Sequence, residues 1–288
     1  MAESATALPP PTLPPLREVI RSWNLDADKR LGQHFLLDLN LTAKIARAAG
    51  NLDGINVIEI GPGPGGLTRA LIDGPAPRII AIERDPRCVA ALQALVEAAH
   101  GRLTVIADDA LRIDPVALCP APRAIVANLP YNVATPLLIG WLRQASAFAG
   151  LTLMFQREVA LRLVASPRTS EYGRLSVMTQ WLTEPALLFD LPPQAFTPPP
   201  KVVSSVVHLR PRVMAADEPT FDLMERVVAA AFGQRRKMLR AGLRSFTPDP
   251  VALLESAGID PTQRAEELDV DAFRRLARVW EDKAPASC

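Results

Sequence analysis

Metal and disulfide chemistry have little to work with in this chain. It has three cysteines, Cys88, Cys119 and Cys288, far apart and with no CxxC pair. That argues against a disulfide framework and against a cysteine zinc site. Its three histidines, His34, His100 and His208, share no helical face, so no metal site is expected. No apolar run reaches the ~20 residues of a membrane-spanning helix. The opening MAESATALPPPTLPPL lacks the basic start and following apolar stretch of a secretory signal. Nor does one sign of charge prevail: 32 basic and 31 acidic residues leave a formal charge of +1. Any nucleic-acid surface must therefore be local. The expectation is a soluble protein of a reducing compartment, cytoplasmic and without a membrane partner.

What is present suits a sizeable core. The chain has 288 residues, 49% hydrophobic and 22% charged, which excludes disorder for its bulk. One large domain, or one with a small companion, fits that length.

The proline-rich stretch Pro9–Pro15 reads as an extended tail. Helical patterns follow at Leu16–Asn24 and Asn40–Ala49. Then α/β alternation begins. Strands are expected at Ile55–Ile60, Arg78–Glu83, Leu103–Ala107, Ala124–Ala127, Leu151–Gln156 and Val202–Leu209, with helices from Leu67 and over Pro86–Ala99. This is the pattern of βαβ units and a mostly parallel sheet, whose ligands sit at the carboxyl ends of the strands. After Leu209 only helices are expected: Phe221–Ala231, Gln234–Leu243, Pro250–Ala257 and Val270–Trp280. The chain thus divides into a tail with a short helix (1–27), an α/β domain (28–212) and a helical domain (213–288).

Two motifs carry chemistry. The first is Glu59-Ile-Gly-Pro-Gly-Pro-Gly-Gly-Leu-Thr68, a glycine-rich turn between strand and helix. Gly61, Gly63 and Gly66 match G-x-G-x-x-G, but Pro62 and Pro64 lack the N–H groups that a pyrophosphate cradle presents. A donor-poor glycine loop suits a ligand without phosphates, and S-adenosylmethionine is one. Glu83 ends the second strand, about 20 residues after Gly61, where an acid gripping a ribose hydroxyl pair is expected. Asp109, past the third strand, could accept from the adenine amine, although Asp108 beside it competes for that role. As alternatives, both acids could be solvated strand ends or helix caps.

The second motif is Asn128-Leu-Pro-Tyr131 after the fourth strand. The Asn128 side-chain oxygen and the Leu129 carbonyl can both accept from a planar amino group, drawing its lone pair out of ring conjugation. Pro130 stiffens the turn, and Tyr131 can stack on an extruded base. In-line attack on a sulfonium methyl needs positioning more than a strong base. An ordinary turn is the plain alternative.

In their order, Gln33-His-Phe-Leu36, Glu59-Ile-Gly-Pro-Gly, Glu83, Asp109-Ala-Leu111, Asn128-Leu-Pro-Tyr131, Tyr172-Gly-Arg-Leu-Ser176 and Phe196-Thr-Pro-Pro-Pro-Lys-Val202 resemble the KsgA (RsmA) family of small-subunit rRNA adenine dimethyltransferases. The resemblance runs from about Leu31 to the last helix. It implies a Rossmann-like class I methyltransferase domain with a seven-stranded sheet, a small helical domain, and S-adenosylmethionine as cofactor. It further implies that two methyl groups go to N6 of each of two adjacent adenosines near the 3′ end of 16S rRNA, late in 30S biogenesis, by a monomer. By motif, Gln33, His34, Leu36, Gly61, Gly63, Glu83, Asp109, Ala110 and Asn128 would hold the cofactor. His34 departs from the family's common asparagine. Phe196 would sandwich the target adenine opposite Tyr131, its flanking prolines placing it in a loop.

Arg226, Arg235, Arg236, Lys237, Arg240 and Arg244 follow one another with no acid among them, a positive stripe expected on a helix and suited to phosphates. Arg157 and Arg174 near the cleft, and Lys29 with Arg30, would extend it. Met154 and Trp181 read as core, and Cys88 has no assigned role. Three rivals stand against this reading: the 23S rRNA dimethyltransferases of macrolide resistance, a non-catalytic ribosome assembly or transcription factor, and an NAD-dependent dehydrogenase. Pro62 and Pro64 argue against the last, and the Tyr-Gly-Arg-Leu-Ser and Phe-Gly-Gln-Arg-Arg-Lys motifs argue against the first.

Overall fold

A computed structural model describes residues 13–25 and 33–283. Most of the proline-rich tail, and Lys29 and Arg30, lie outside the described residues. In chain order the first elements are α1 (Leu16–Ser22), β1 (Phe35–Leu36), α2 (Leu39–Ala48), β2 (Asn56–Ile60), α3 (Gly66–Ile72), β3 (Ile79–Glu83), α4 (Pro86–Ala91), α5 (Gln93–Ala98), β4 (Leu103–Ala107), β5 (Arg123–Asn128) and α6 (Tyr131–Leu142). They are followed by β6 (Gly150–Gln156), α7 (Arg157–Val164), α8 (Arg174–Leu182), β7 (Thr183–Leu191), β8 (Phe196–Thr197), β9 (Ser204–Pro211), α9 (Phe221–Gly233), α10 (Leu239–Gly242), α11 (Pro250–Ser256) and α12 (Val270–Lys283). Seven of the strands form one sheet in the order β4-β3-β2-β5-β6-β9-β7. The chain resolves into two compact units, residues 1–134 with 192–202, and 135–191 with 203–288.

In the first unit β2, β3, β4 and β5 run parallel. Strands covered on both faces read as continuous apolar runs, and Val57, Ile58, Ile79 and Ala81 are all fully buried. Asp38 starts α2 by accepting from the amides of Asn40 and Leu41, and Asp85 caps α4 through Arg87. A second, two-stranded sheet joins β1 to β8 antiparallel, with Phe35 opposite Thr197 and Leu36 opposite Phe196.

In the second unit β9 pairs antiparallel with both β6 and β7. Trp181 and Met154 are buried, as expected of core residues. Thr220 caps α9 by accepting from the Leu223 amide.

Two expected helices differ. Pro86–Ala99 is broken at Leu92, leaving α4 and α5. Gln234–Leu243 is helical only from Leu239: α9 ends at Gly233, residues 234–237 turn, and Met238 bridges antiparallel to Arg264. Among the described residues, no helix is long and apolar enough to cross a membrane, and no group of His, Cys, Asp and Glu could hold a metal ion.

Candidate functional site

The glycine loop is shaped by its neighbours before any ligand is considered. Gly61, Gly63 and Gly65 all have positive φ (66°, 55° and 88°), where a side chain would be strained. A β-carbon built on Gly66 would lie 2.7 Å from the Leu36 carbonyl oxygen, and one on Gly63 would lie 3.1 Å from the Phe35 ring. The loop and the Gln33-His-Phe-Leu36 segment therefore interlock. One on Gly61 would meet Pro130 Cδ at 3.5 Å, which sets the Asn128-Leu-Pro-Tyr131 turn against the loop.

Glu83 closes the other side. Its carboxylate accepts from the Gly63 amide at 2.9 Å and from the Asp85 amide at 2.8 Å, while burial pushes its pKa up against those bonds. Asp85 in turn accepts from the Gln33 side-chain amide at 3.1 Å, and the hydrogen-bonded Arg87 guanidinium draws its pKa down to about 2. Gln33 thus braces Asp85, a residue that the sequence did not single out. Asp109 accepts from the Leu111 amide at 3.0 Å and lies 3.3 Å from the Arg84 guanidinium. Ala110 opens the short turn of helix that it caps, and Asp108 accepts from the Asp109 amide.

Asn128 is the last residue of β5 and half-buried, Leu129 is buried, and Tyr131 begins α6. The His34 ring lies 5.6 Å from that of Tyr131, and its Nδ1 is 2.8 Å from the Pro198 carbonyl oxygen. That gives the histidine a structural anchor where asparagine is the common residue. Phe196 is not in a loop: β8 holds it, and it is 2% exposed.

Glu59 escaped the sequence reading as a site residue. It ends next to last in β2, is 1% exposed, and its Oε2 has no hydrogen-bond partner. Burial is the largest cause raising its pKa to about 8, with the nearby Glu83 adding to it. The available signal was an acid in an otherwise apolar parallel strand just before the loop. A loop with Pro62 and Pro64, with the Gly63 N–H already given to Glu83, and with a buried carboxyl at its root, one oxygen of it unpartnered, is ill-suited to phosphate. It suits a ligand carrying hydroxyls and positive charge. Cys88 is fully buried and its thiol pKa is pushed up, so it is no nucleophile.

In the second unit the basic residues part company. Arg235 Nε donates to Glu266 at 2.8 Å, and its Nη2 donates to the carbonyls of Ser170 (2.8 Å) and Thr169 (3.3 Å). Arg157 pairs with Asp190 at 3.0 Å. Arg236, Lys237 and Arg240 are exposed, but the first two sit in the turn and only Arg240 in α10. The stripe is thus not one helix face. The helix stops at Gly233, Gln234 leaves helical geometry, and Met238 bridges to Arg264 beyond it.

The mostly parallel seven-stranded sheet, with its glycine loop after β2 and acids at neighbouring strand ends, is the fold of a class I, S-adenosylmethionine-dependent methyltransferase. Solved structures agree. A dimethyladenosine transferase from Plasmodium falciparum superposes with a TM-score of 0.75 at 25% identity, over 87% of this chain and 98% of that one. The 23S rRNA methyltransferase ErmE gives 0.64 at 30% identity, over 86% and 99%. The chain belongs to the ribosomal RNA adenine dimethylase family, whose model matches residues 24–282. It is 59% identical to the ribosomal RNA small subunit methyltransferase A of Rhodospirillum rubrum, over 95% of each chain. It is also 59% identical to that of Paramagnetospirillum magneticum, over 92% of this chain and 94% of the other.

Proposed function

We propose that this protein transfers methyl groups to N6 of two adjacent adenosines near the 3′ end of 16S rRNA, two on each, within a cytoplasmic 30S subunit or its precursor, as a monomer. The observation that carries the reading is the seating of the Asn128-Leu-Pro-Tyr131 turn on the glycine loop, with Pro130 packed beside Gly61. It supports reading Asn128 and Leu129 as an amine-accepting pair beside the loop that would hold the methyl donor.

S-adenosylmethionine, when bound, supplies an electrophilic sulfonium methyl. Gln33, His34, Leu36, Gly61, Gly63, Glu83, Asp109, Ala110 and Asn128 are the residues that would hold it, with Glu59 beneath the loop ionising against its positive charge. The Asn128 side-chain oxygen and the Leu129 carbonyl accept from the adenine amine, so the nitrogen lone pair is freed for in-line attack. Pro130 fixes their spacing. Tyr131 and Phe196 bracket the base, which must leave its stack to be reached. Most of the rate then comes from placement. Residues 28–212 would carry this chemistry. Residues 213–288 would serve as an RNA-binding domain, with Arg236, Lys237 and Arg240, and Arg174 outside it, toward the RNA, and with Arg157 and Arg235 held in ion pairs.

The small-subunit reading is favoured over the 23S one by the 59% identity to small-subunit methyltransferases against 30% to ErmE. The deciding experiment incubates small and large ribosomal particles from cells lacking this protein, each separately, with it and labelled S-adenosylmethionine, then maps the label by mass spectrometry. Dimethyladenosine at two adjacent positions near the 16S 3′ end is expected. Label on 23S rRNA alone, or on neither, overturns the reading.

A further inference from the structure

The motifs Tyr172-Gly-Arg-Leu-Ser176 and Phe232-Gly-Gln-Arg-Arg-Lys237 are far apart in sequence, yet within the second unit they line one cavity of about 530 Å³. That volume is in the range of sites that enclose small organic ligands. One wall is apolar: Ile139, Met178, Val228 and Phe232. It is also braced. Phe232 stacks on Phe273 at 5.8 Å and meets the fully buried Tyr172 edge-on at 6.2 Å. Arg235 ties the 169–170 segment to the turn after α9 through its bonds to Ser170, Thr169 and Glu266.

Charged side chains line it too. Arg162, Arg174 and Arg235 line the cavity, and so do Glu171 and Glu225. Glu225 is held by Arg143 at 2.8 Å, and Arg235 by Glu266. Arg162 lies 3.8 Å from Glu158, with both side chains at least half exposed. Arg174 is exposed and, among the described residues, its side chain makes no hydrogen bond or ion pair. The cavity therefore offers a rigid apolar face with an aromatic ring, one uncommitted guanidinium, and carboxylates able to accept from an amine.

We propose that this cavity takes one unstacked nucleotide of the RNA substrate. Its base would lie against Ile139, Met178, Val228 and Phe232, and its phosphate would meet Arg174. This rests on the RNA-modifying reading above and deepens it: the nucleotide held here is not a methylated one but a landmark elsewhere in the RNA. Single-stranded bases are commonly captured on aromatic and apolar faces, with arginines on the backbone. Arg235, which the sequence cast as a phosphate ligand, becomes the brace of the pocket.

The test uses the full chain and unmethylated 30S particles. Ile139 is only half-buried, so Ile139→Trp fills the cavity with little disturbance of the core; Arg174→Ala removes the cation. Ultraviolet cross-linking of the wild type to particles, read by mass spectrometry, is expected to place a nucleotide on Met178 or Phe232. Ile139→Trp should lose that cross-link and raise KM for particles by about tenfold at unchanged kcat and melting temperature. Arg174→Ala should raise KM and flatten its salt dependence. Wild-type KM in Ile139→Trp, with the protein folded, overturns the proposal. Weakened binding of AMP alone, with particle binding unchanged, overturns it too and assigns the cavity to a free nucleotide. Because every arm is read against active wild-type enzyme, these failures are separate from a wild type that methylates nothing.

Discussion

Leu36 lies directly opposite Phe196 in the antiparallel pair of β1 and β8. Two motifs from opposite ends of the first unit's sequence are thereby joined by backbone hydrogen bonding. The glycine loop closes on the same ribbon, since Gly66 has no room for a β-carbon beside the Leu36 carbonyl. The proposed cofactor and base pockets thus share one structural seam.

Phe196→Ala should act at this seam in two ways. Removing an almost fully buried ring should lower stability by about 3–5 kcal/mol, measured by urea unfolding. Methyl transfer should fall even at temperatures where the variant remains folded. Activity proportional to the folded fraction would reduce Phe196 to a packing residue.

Gly66→Ala tests the interlock without touching a polar group. The added carbon would lie 2.7 Å from Leu36 O, so stability should drop by about 1–3 kcal/mol. The same change at Gly140, a helical glycine that like Gly66 has no positive φ and around which nothing lies within 4 Å, is a control for losing a glycine without the close contact.

Asn128→Ala should leave RNA binding intact and reduce turnover by at least roughly a hundredfold, the scale of a lost positioning contact. Single-turnover methylation with a filter-binding measurement separates the two. Wild-type turnover would remove Asn128 from the base pocket.

Glu59 predicts a pH signature. With a folded pKa of about 8 against an ordinary 4.5, the folded protein binds more protons than the unfolded chain across that interval. The stability of the ligand-free protein should therefore decline as pH rises from about 5 to 8. Glu59→Gln should flatten that decline. A cationic ligand should ionise the carboxyl, so calorimetry of S-adenosylmethionine binding near pH 7 should show proton release, absent in Glu59→Gln.

Arg235 and its two neighbours should behave differently. Arg236→Ala with Lys237→Ala should reduce the salt slope of RNA binding by roughly 0.7–0.9 per charge. Arg235→Ala breaks an ion pair and two carbonyl bonds, and should lower stability by about 1 kcal/mol. Equal salt slopes for wild type and the double variant would make the exposed pair a merely solvated surface.

The sequence made legible what local rules govern. Parallel strands announced themselves as apolar runs between glycine and proline turns, and β2 to β5 fall within a residue or two of expectation. Several elements were not legible. The edge strand β7 carries Pro185 and the exposed Leu187 and Leu188, a pattern with no clean alternation. Beyond the break at Gly233, Met238 pairs with Arg264, a residue distant in sequence. A period read along one segment contains no trace of it. Phe196 shows the same limit: neighbouring prolines suggested a loop, but β1 supplied a pairing partner. Glu59 was visible only as a motif letter. Its burial depends on strands arriving from elsewhere, and only that burial gives it an altered proton affinity.

The Gly63 amide donates to the Glu83 carboxylate. The loop and the acid at the end of β3 are thus tied to each other by the chain's own groups, with a second amide from Asp85 securing the same carboxylate. A ligand entering such a site has little to freeze, so the rotational freedom lost on binding falls mainly on the ligand. Exchange of spent cofactor for fresh between successive methyl transfers would then proceed on a pocket that keeps its shape throughout.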